Sequence, residues 1–263
     1  MPRTFGPPDL MGDASGFAYD WPQRRWLPVA WTSISSDGSR YWYSASPGVG
    51  NNTTGQEQLY EVDVASGSAR VVASARMTPL GSDSGKEYFV EWRGGMGGSG
   101  LYALDLTSSA LSTVYPSGRS ANWRFVADGF VYGGDFNPQD TNQPGSGEVP
   151  DEVIRLDLST GQSVHLVYHA GVWAEMLGLS PMGHVIVTEV GPGGPGSPSI
   201  LNTDGSLQPV TGLPPRVDVL FSGGDQTWFR GDGNLYKMRG SETAVLVMSN
   251  PRDGGQNFGS PCG

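Results

Sequence analysis

Residues 29–43, Val29-Ala30-Trp31-Thr32-Ser33-Ile34-Ser35-Ser36-Asp37-Gly38-Ser39-Arg40-Tyr41-Trp42-Tyr43, decide the fold. They read as a short apolar strand, a turn carrying Asp-Gly, and a second strand rich in aromatics. An Asp-Gly pair between alternating runs is a strong hairpin signal, because both central positions then favour positive φ. Working outward, Leu59-Tyr60-Glu61-Val62-Asp63-Val64, Ala65-Ser66-Gly67 and Ala69-Arg70-Val71-Val72 supply a second hairpin. Four short strands thus make one unit.

The unit recurs. Met77 to Gly81, a turn at Asp83-Ser84-Gly85, Glu87-Tyr88-Phe89-Val90 and Leu101 to Leu106 form a second copy. Trp123 to Val126, Asp128-Gly129, Phe130-Val131-Tyr132, Val153 to Leu158 and Thr160-Gly161 form a third. The fourth runs from Glu175 to Leu179 through Pro181-Met182-Gly183 to Val185-Ile186-Val187, its later half eroded to Ile200 to Gly205. The fifth has Val217 to Phe221, Gly223-Gly224, Thr227-Trp228-Phe229 and Leu235 to Met238. Repeats of four strands at a spacing of roughly 40 to 50 residues are propeller blades. A single blade has too little core and is stabilised by stacking on its neighbours. The expectation is an all-β, single-domain β-propeller over residues 1–263, with about five four-stranded blades and poorly ordered ends near 1–14 and 250–263. Gly16 to Pro22 and Arg25 to Pro28 resemble the outer strands of an incomplete blade, which keeps a six-bladed alternative open.

These units resemble the repeat of the bacterial TolB-like, WD-repeat-like propeller superfamily. That repeat has a Ser-Pro-Asp-Gly turn, an apolar strand and a Leu/Ile-Tyr-x-x-Asp-x-x-x-Gly hairpin. The likeness spans residues 16 to 248 and is closest in the first three copies; Ser36 stands where the repeat has Pro. The superfamily hosts scaffolds, peptidase domains and lactonase-like enzymes, so the resemblance implies a fold and not an activity.

Composition narrows the partners. The chain has 40 Gly and 20 Pro in 263 residues, and the glycines separate runs rich in Val, Tyr, Trp and Leu, as turns do. Its formal charge is −10 and its only lysines are Lys86 and Lys237. Clustered cations are what release counterions from a phosphate backbone; none is visible, so no nucleic-acid partner is expected. No apolar run approaches the ~20 residues of a membrane span. Met1 to Pro8 hold no leader-like stretch, and the expectation is an extracytoplasmic bacterial protein whose export segment is not in this chain. The lone Cys262 offers neither a disulfide nor a thiolate metal site.

In a propeller, ligands occupy the mouth where inner strands begin. The residues so placed are Arg76, Asn122, Arg124, Trp173 and Arg216 as ligand-binding candidates, with Glu175, Asp218 and His169 as acid–base candidates. The third-copy loop from Asp135 to Asn142, with Asp135 and Asp140, offers hard oxygen donors of the kind Ca²⁺ takes. The Gly-rich stretches 93–100 and 191–196 carry no P-loop lysine and read as flexible crossings over the mouth. No Gly-x-Ser-x-Gly elbow and no paired-histidine zinc spacing occurs. The sequence therefore favours a binding or scaffold propeller presenting its mouth to a small molecule, a glycan or a protein. The alternative is a hydrolase at that mouth, either a calcium-assisted lactonase or esterase or a glycosidase.

Overall fold

The computed structural model describes residues 10–12, 18–20, 25–27, 29, 33–35, 37–47, 57–91, 100–116, 121–135, 152–169, 171–223, 226–240 and 243–249. They are organised as antiparallel sheets of the propeller type in two compact units, residues 1–129 and 130–263, and the division falls at the Asp128-Gly129 turn of the third copy. No helix among the described residues is long and apolar enough to cross a membrane.

The first unit contains β1 (Leu10–Gly12), β2 (Ala18–Asp20), β3 (Arg25–Leu27), β4 (Arg40–Pro47), β5 (Gln58–Asp63), β6 (Ala69–Ala73), β7 (Met77–Asp83), β8 (Lys86–Glu91), β9 (Leu101–Asp105), β10 (Leu111–Tyr115) and β11 (Asn122–Ala127). Its first sheet has the order β1-β4-β5-β6 and its second β7-β8-β9-β10. Among the described residues the strands β2 and β3 pair only with each other. The second unit contains β12 (Phe130–Asp135), β13 (Glu152–Asp157), β14 (Ser163–Tyr168), β15 (Trp173–Leu179), β16 (Val185–Gly191), β17 (Gly194–Pro195), β18 (Ser199–Leu201), β19 (Leu207–Pro209), β20 (Asp218–Gly223), β21 (Gln226–Gly231), β22 (Asn234–Arg239) and β23 (Ala244–Ser249). The fourth sheet runs β15-β16-β18-β19 and the fifth β20-β21-β22-β23.

The repeated Asp builds the outer hairpins. Asp63 Oδ1 accepts from the Ser66 backbone N–H (2.7 Å), Asp105 Oδ1 from Thr107 and Ser108 (2.9 and 2.7 Å), and Asp157 Oδ1 from Ser159 and Thr160 (2.8 and 3.1 Å). These bonds favour the carboxylate and hold all three acids below their ordinary pKa. The residue closing each turn has positive φ: Gly67 at 70°, Gly161 at 70°, and Ser109, where a glycine would be at ease, at 61°. The Asp of the repeat is thus a turn-former.

Interior strands bury both faces, as stacked sheets require. In the first unit Trp42, Leu59, Met77, Phe89 and Leu104 form one core cluster, with Trp42 edge-on to Phe89 at 5.8 Å. In the second unit Ile186, Ile200, Val210, Val217, Phe229, Met238 and Ala244 do the same between the fourth and fifth sheets.

Three local expectations are corrected. Ser33 to Ser35 are not part of an inner strand: Ile34 makes one isolated bridge to Tyr41, and β1 occupies the far end of that edge, while residues 30–32 of the expected strand lie outside the described residues. Ser35 is drawn into the turn instead, its hydroxyl donating to Asp37 Oδ1 (2.6 Å) and accepting from the Arg40 N–H (3.0 Å). Of the Asp37-Gly38 pair only Gly38 has positive φ, because Asp37 is committed to Ser35 and Ser39, whereas Ser84-Gly85 and Asp128-Gly129 are positive at both positions. The Gly-rich stretch after Val190 is no crossing loop. It turns back as a hairpin, Val190 opposite Pro195 and Gly191 opposite Gly194. The ends near 1–14 and 250–263 lie outside the described residues, apart from β1.

Candidate functional site

In the second unit the beginnings of β15 and β20 and the β21–β22 turn surround an open cleft of about 470 Å³ between the fourth and fifth sheets. That volume is within the usual range for small-molecule sites, about 300–1,000 Å³. Leu177, Val190, Pro195 and Val217 give it apolar walls, and Glu175, Arg216, Asp218, Arg230 and Asp232 give it charge. Gly231 makes room at its base, since a Cβ there would stand 2.7 Å from Pro214 Cγ and 2.8 Å from both the Arg216 carbonyl oxygen and Val217 Cγ1. The adjoining turn, Asp232-Gly233, has φ of 49° and 73°, the type I′ geometry that a tight hairpin favours.

Strand register settles which way the charges face. Glu175 lies opposite Thr188, on the face of the fourth sheet that also presents Ile186 to the fifth. Val219 pairs with Phe229 in the core between those sheets, so Asp218 and its partner Arg230 project from the other face of the fifth sheet and reach the cleft only at its rim. There Arg230 donates to Asp218 Oδ2 through Nη2 (2.8 Å) and Nε (3.3 Å), with both side chains about half exposed or more. Glu175 is exposed as well. The two proposed acid–base carboxylates share a cleft without facing each other.

The third acid–base candidate is elsewhere. His169 Nδ1 is hydrogen-bonded to Glu189, which pairs with Ala174 and so lies on the face opposite Glu175 and Thr188. Trp173 begins β15, half-buried, opposite Val190. Arg216 is exposed at the cleft, with no hydrogen bond or ion pair among the described residues. The remaining binding candidates belong to the first unit. Arg76 approaches Glu57 at 3.6 Å, Asn122 opens β11 half-buried, and Arg124 is exposed beside the buried Trp123.

Of the calcium candidates, Asp135 ends β12 opposite Glu152, whose buried carboxylate is engaged by His165 Nδ1 at 2.8 Å. Asp140 lies outside the described residues, and among those described no three carboxylates, imidazoles or thiols converge as metal ligands. Sequence reasoning overlooked Arg230, Asp232 and Thr188. Asp232-Gly233 between Trp228-Phe229-Arg230 and Leu235-Tyr236 was the usable signal, being the same Asp-Gly hairpin mark that located the first unit.

No family model and no curated protein matches the chain. Solved structures do. The β-propeller domain of the trilobed protease from Pyrococcus furiosus aligns with 82% of this chain and 68% of its own length, at 12% identity and a TM-score of 0.56. The acylaminoacyl peptidase of Pyrococcus horikoshii aligns with 82% of this chain and 38% of its own, at 12% identity and a TM-score of 0.54. TolB from Acinetobacter baumannii matches at 18% identity and a TM-score of 0.48, over 78% of this chain; the chain spans half the length of that structure. The chain is a β-propeller. At these identities the likeness is one of fold.

Proposed function

We propose that this propeller is a recognition module and that the cleft between its fourth and fifth sheets holds a small molecule, a glycan or a short peptide. The observation that carries this is the placement of the charges. Acid–base catalysis needs two groups converging on one bond, with at least one desolvated enough to hold or take a proton near neutrality. Here Asp218 is bound by Arg230 and points away from the sheet that carries Glu175, and both carboxylates are exposed. Apolar walls with a few convergent polar groups are what a binding site requires, and Arg216, without a partner among the described residues, gives such a site an anchor for an anionic group. The repeat's resemblance to the TolB-like propellers supports an extracytoplasmic setting for the module.

The test is a ligand-observed NMR screen of small acids, oligosaccharides and short peptides, run beside a hydrolysis assay on lactones, esters and aryl glycosides. Binding that weakens about tenfold in Arg216→Ala, with no turnover, is the expected result. Turnover lost in Glu175→Gln would overturn it in favour of a hydrolase, and turnover lost in chelator would make that hydrolase metal-assisted.

A further inference from the structure

The cleft between the fourth and fifth sheets carries charge of both signs, and these charges do not all cancel within the protein. On the fourth-sheet wall stands Glu175, on the face that also carries Thr188 and turns toward the fifth sheet. On the fifth-sheet wall stand Arg216, in the segment leading into β20, and Asp232, in the β21–β22 turn. All three are exposed, and none has a hydrogen bond or ion pair among the described residues. Asp218 and Arg230 neutralise each other at the rim. The cleft therefore offers one free cation and two free carboxylates.

Between these charges the walls are apolar. Val190 lies opposite Pro195, and both share a face with Thr188 and Glu175. Leu177 extends that wall, and Val217 stands across from it. Thr188 is buried and committed, its hydroxyl donating to the Gly196 carbonyl (2.9 Å). It pins the hairpin that carries Pro195 and leaves recognition to the charged groups and the apolar surface.

This combination selects among ligands. A neutral glycan would hydrogen-bond to the charged groups without neutralising any of them. A simple carboxylic acid would pair with Arg216 but meet Glu175 and Asp232, and a simple amine would meet Arg216. Like charges brought together in a binding site cost affinity. A molecule with a carboxylate, an ammonium and an apolar body satisfies both signs and covers the walls. Building on the reading of the cleft as a recognition site, we infer that it takes such a zwitterion: an apolar amino acid, or a short apolar peptide with both ends free. The carboxylate pairs with the Arg216 guanidinium, the ammonium lies toward Glu175 and Asp232, and the apolar body rests on Leu177, Val190 and Pro195.

The probes are leucine and the dipeptide leucyl-leucine, each with its N-acetyl and C-terminal amide derivatives, titrated into the full chain by calorimetry. A free probe should bind about tenfold more tightly than either blocked derivative. Glu175→Gln should abolish the preference for a free ammonium and keep that for a free carboxylate, and Arg216→Gln should do the reverse. Both side chains are exposed, so neither substitution disturbs the core, and the preference each variant keeps shows that its cleft is intact. Tighter binding of leucine assigns the cleft to amino acids, and tighter binding of the dipeptide assigns it to peptides. Equal affinity for free and blocked probes, or preferences that persist in both variants, overturns the inference. So does binding of a monocarboxylic acid or an oligosaccharide where the free probes fail at about 1 mM, which would leave a recognition site with a different ligand. Failure of every one of these compounds to bind would overturn the recognition site itself.

Discussion

The junction of the first and second sheets and the junction of the fourth and fifth are built on the same repeat, yet they treat charge in opposite ways. At the first, Trp42, Phe89 and Leu104 close the interface, and Glu87, on the same face as Phe89, is fully buried. Among the described residues neither carboxylate oxygen has a hydrogen-bond partner, and the Trp42 indole N–H in that layer has none either. Burial pushes the Glu87 carboxyl up to about 9, and the Gly81 amide offsets little of that without forming a full hydrogen bond. At the second junction, Glu175, Arg216, Asp218, Arg230 and Asp232 gather at an open cleft and remain solvated. One interface hides an acid by keeping it neutral. The other displays its charges, which is what a recognition surface needs.

The largest effect should come from Glu87. Below a pH of about 4.5 the acid is protonated in both the folded and the unfolded chain and costs nothing through ionisation. Above that, the unfolded chain releases the proton while the folded chain keeps it, so stability falls by up to about 1.4 kcal/mol per pH unit until the folded group ionises near 9. Glu87→Gln should remove this slope and stabilise the first unit by several kcal/mol at pH 8, as read by urea unfolding between pH 5 and 9. Parallel pH profiles for the two proteins would show that Glu87 is not held neutral.

A smaller change would spoil the open junction. Gly231→Ala forces a Cβ against Pro214, the Arg216 carbonyl and Val217, and overpacking of this kind costs about 1–3 kcal/mol. Because two of those contacts are at the start of β20, the substitution should also weaken any cleft ligand. A variant with unchanged melting temperature and unchanged ligand affinity would mean that the cleft base yields freely. The smallest effect concerns the outer hairpins. Ser109 takes the left-handed conformation that Gly67 and Gly161 take in the equivalent turns, so Ser109→Gly should raise stability by about 0.5–1 kcal/mol. Destabilisation would show that the serine makes a compensating contact.

Much of the architecture was legible in the chain, because the Asp-x-x-x-Gly hairpins encode themselves. Asp63, Asp105 and Asp157 fold their turns through bonds to residues two and three positions away, so the signal is contained in a few adjacent letters. Where a residue had competing partners, the local signal failed. Ser35 was drawn from its strand into the Asp37 turn, and the glycines after Val190 formed a hairpin instead of a crossing.

The sequence by itself determined the repeat, its turns, the acidic balance and the residues standing at the starts of the inner strands. Which of those residues meet was decided by tertiary structure alone. Glu175 and Asp218 hold equivalent places, each one pair before the bulge of its blade's first strand, and look like a pair. But Glu175 faces the fifth sheet, whereas the equivalent face of the fifth sheet, which carries Asp218, points away from the fourth. Nor did any local pattern mark Glu87, on a strand of ordinary composition, as buried, or β23 as exposed. Burial is a property of what stacks against a strand, and in a propeller that partner comes from another repeat.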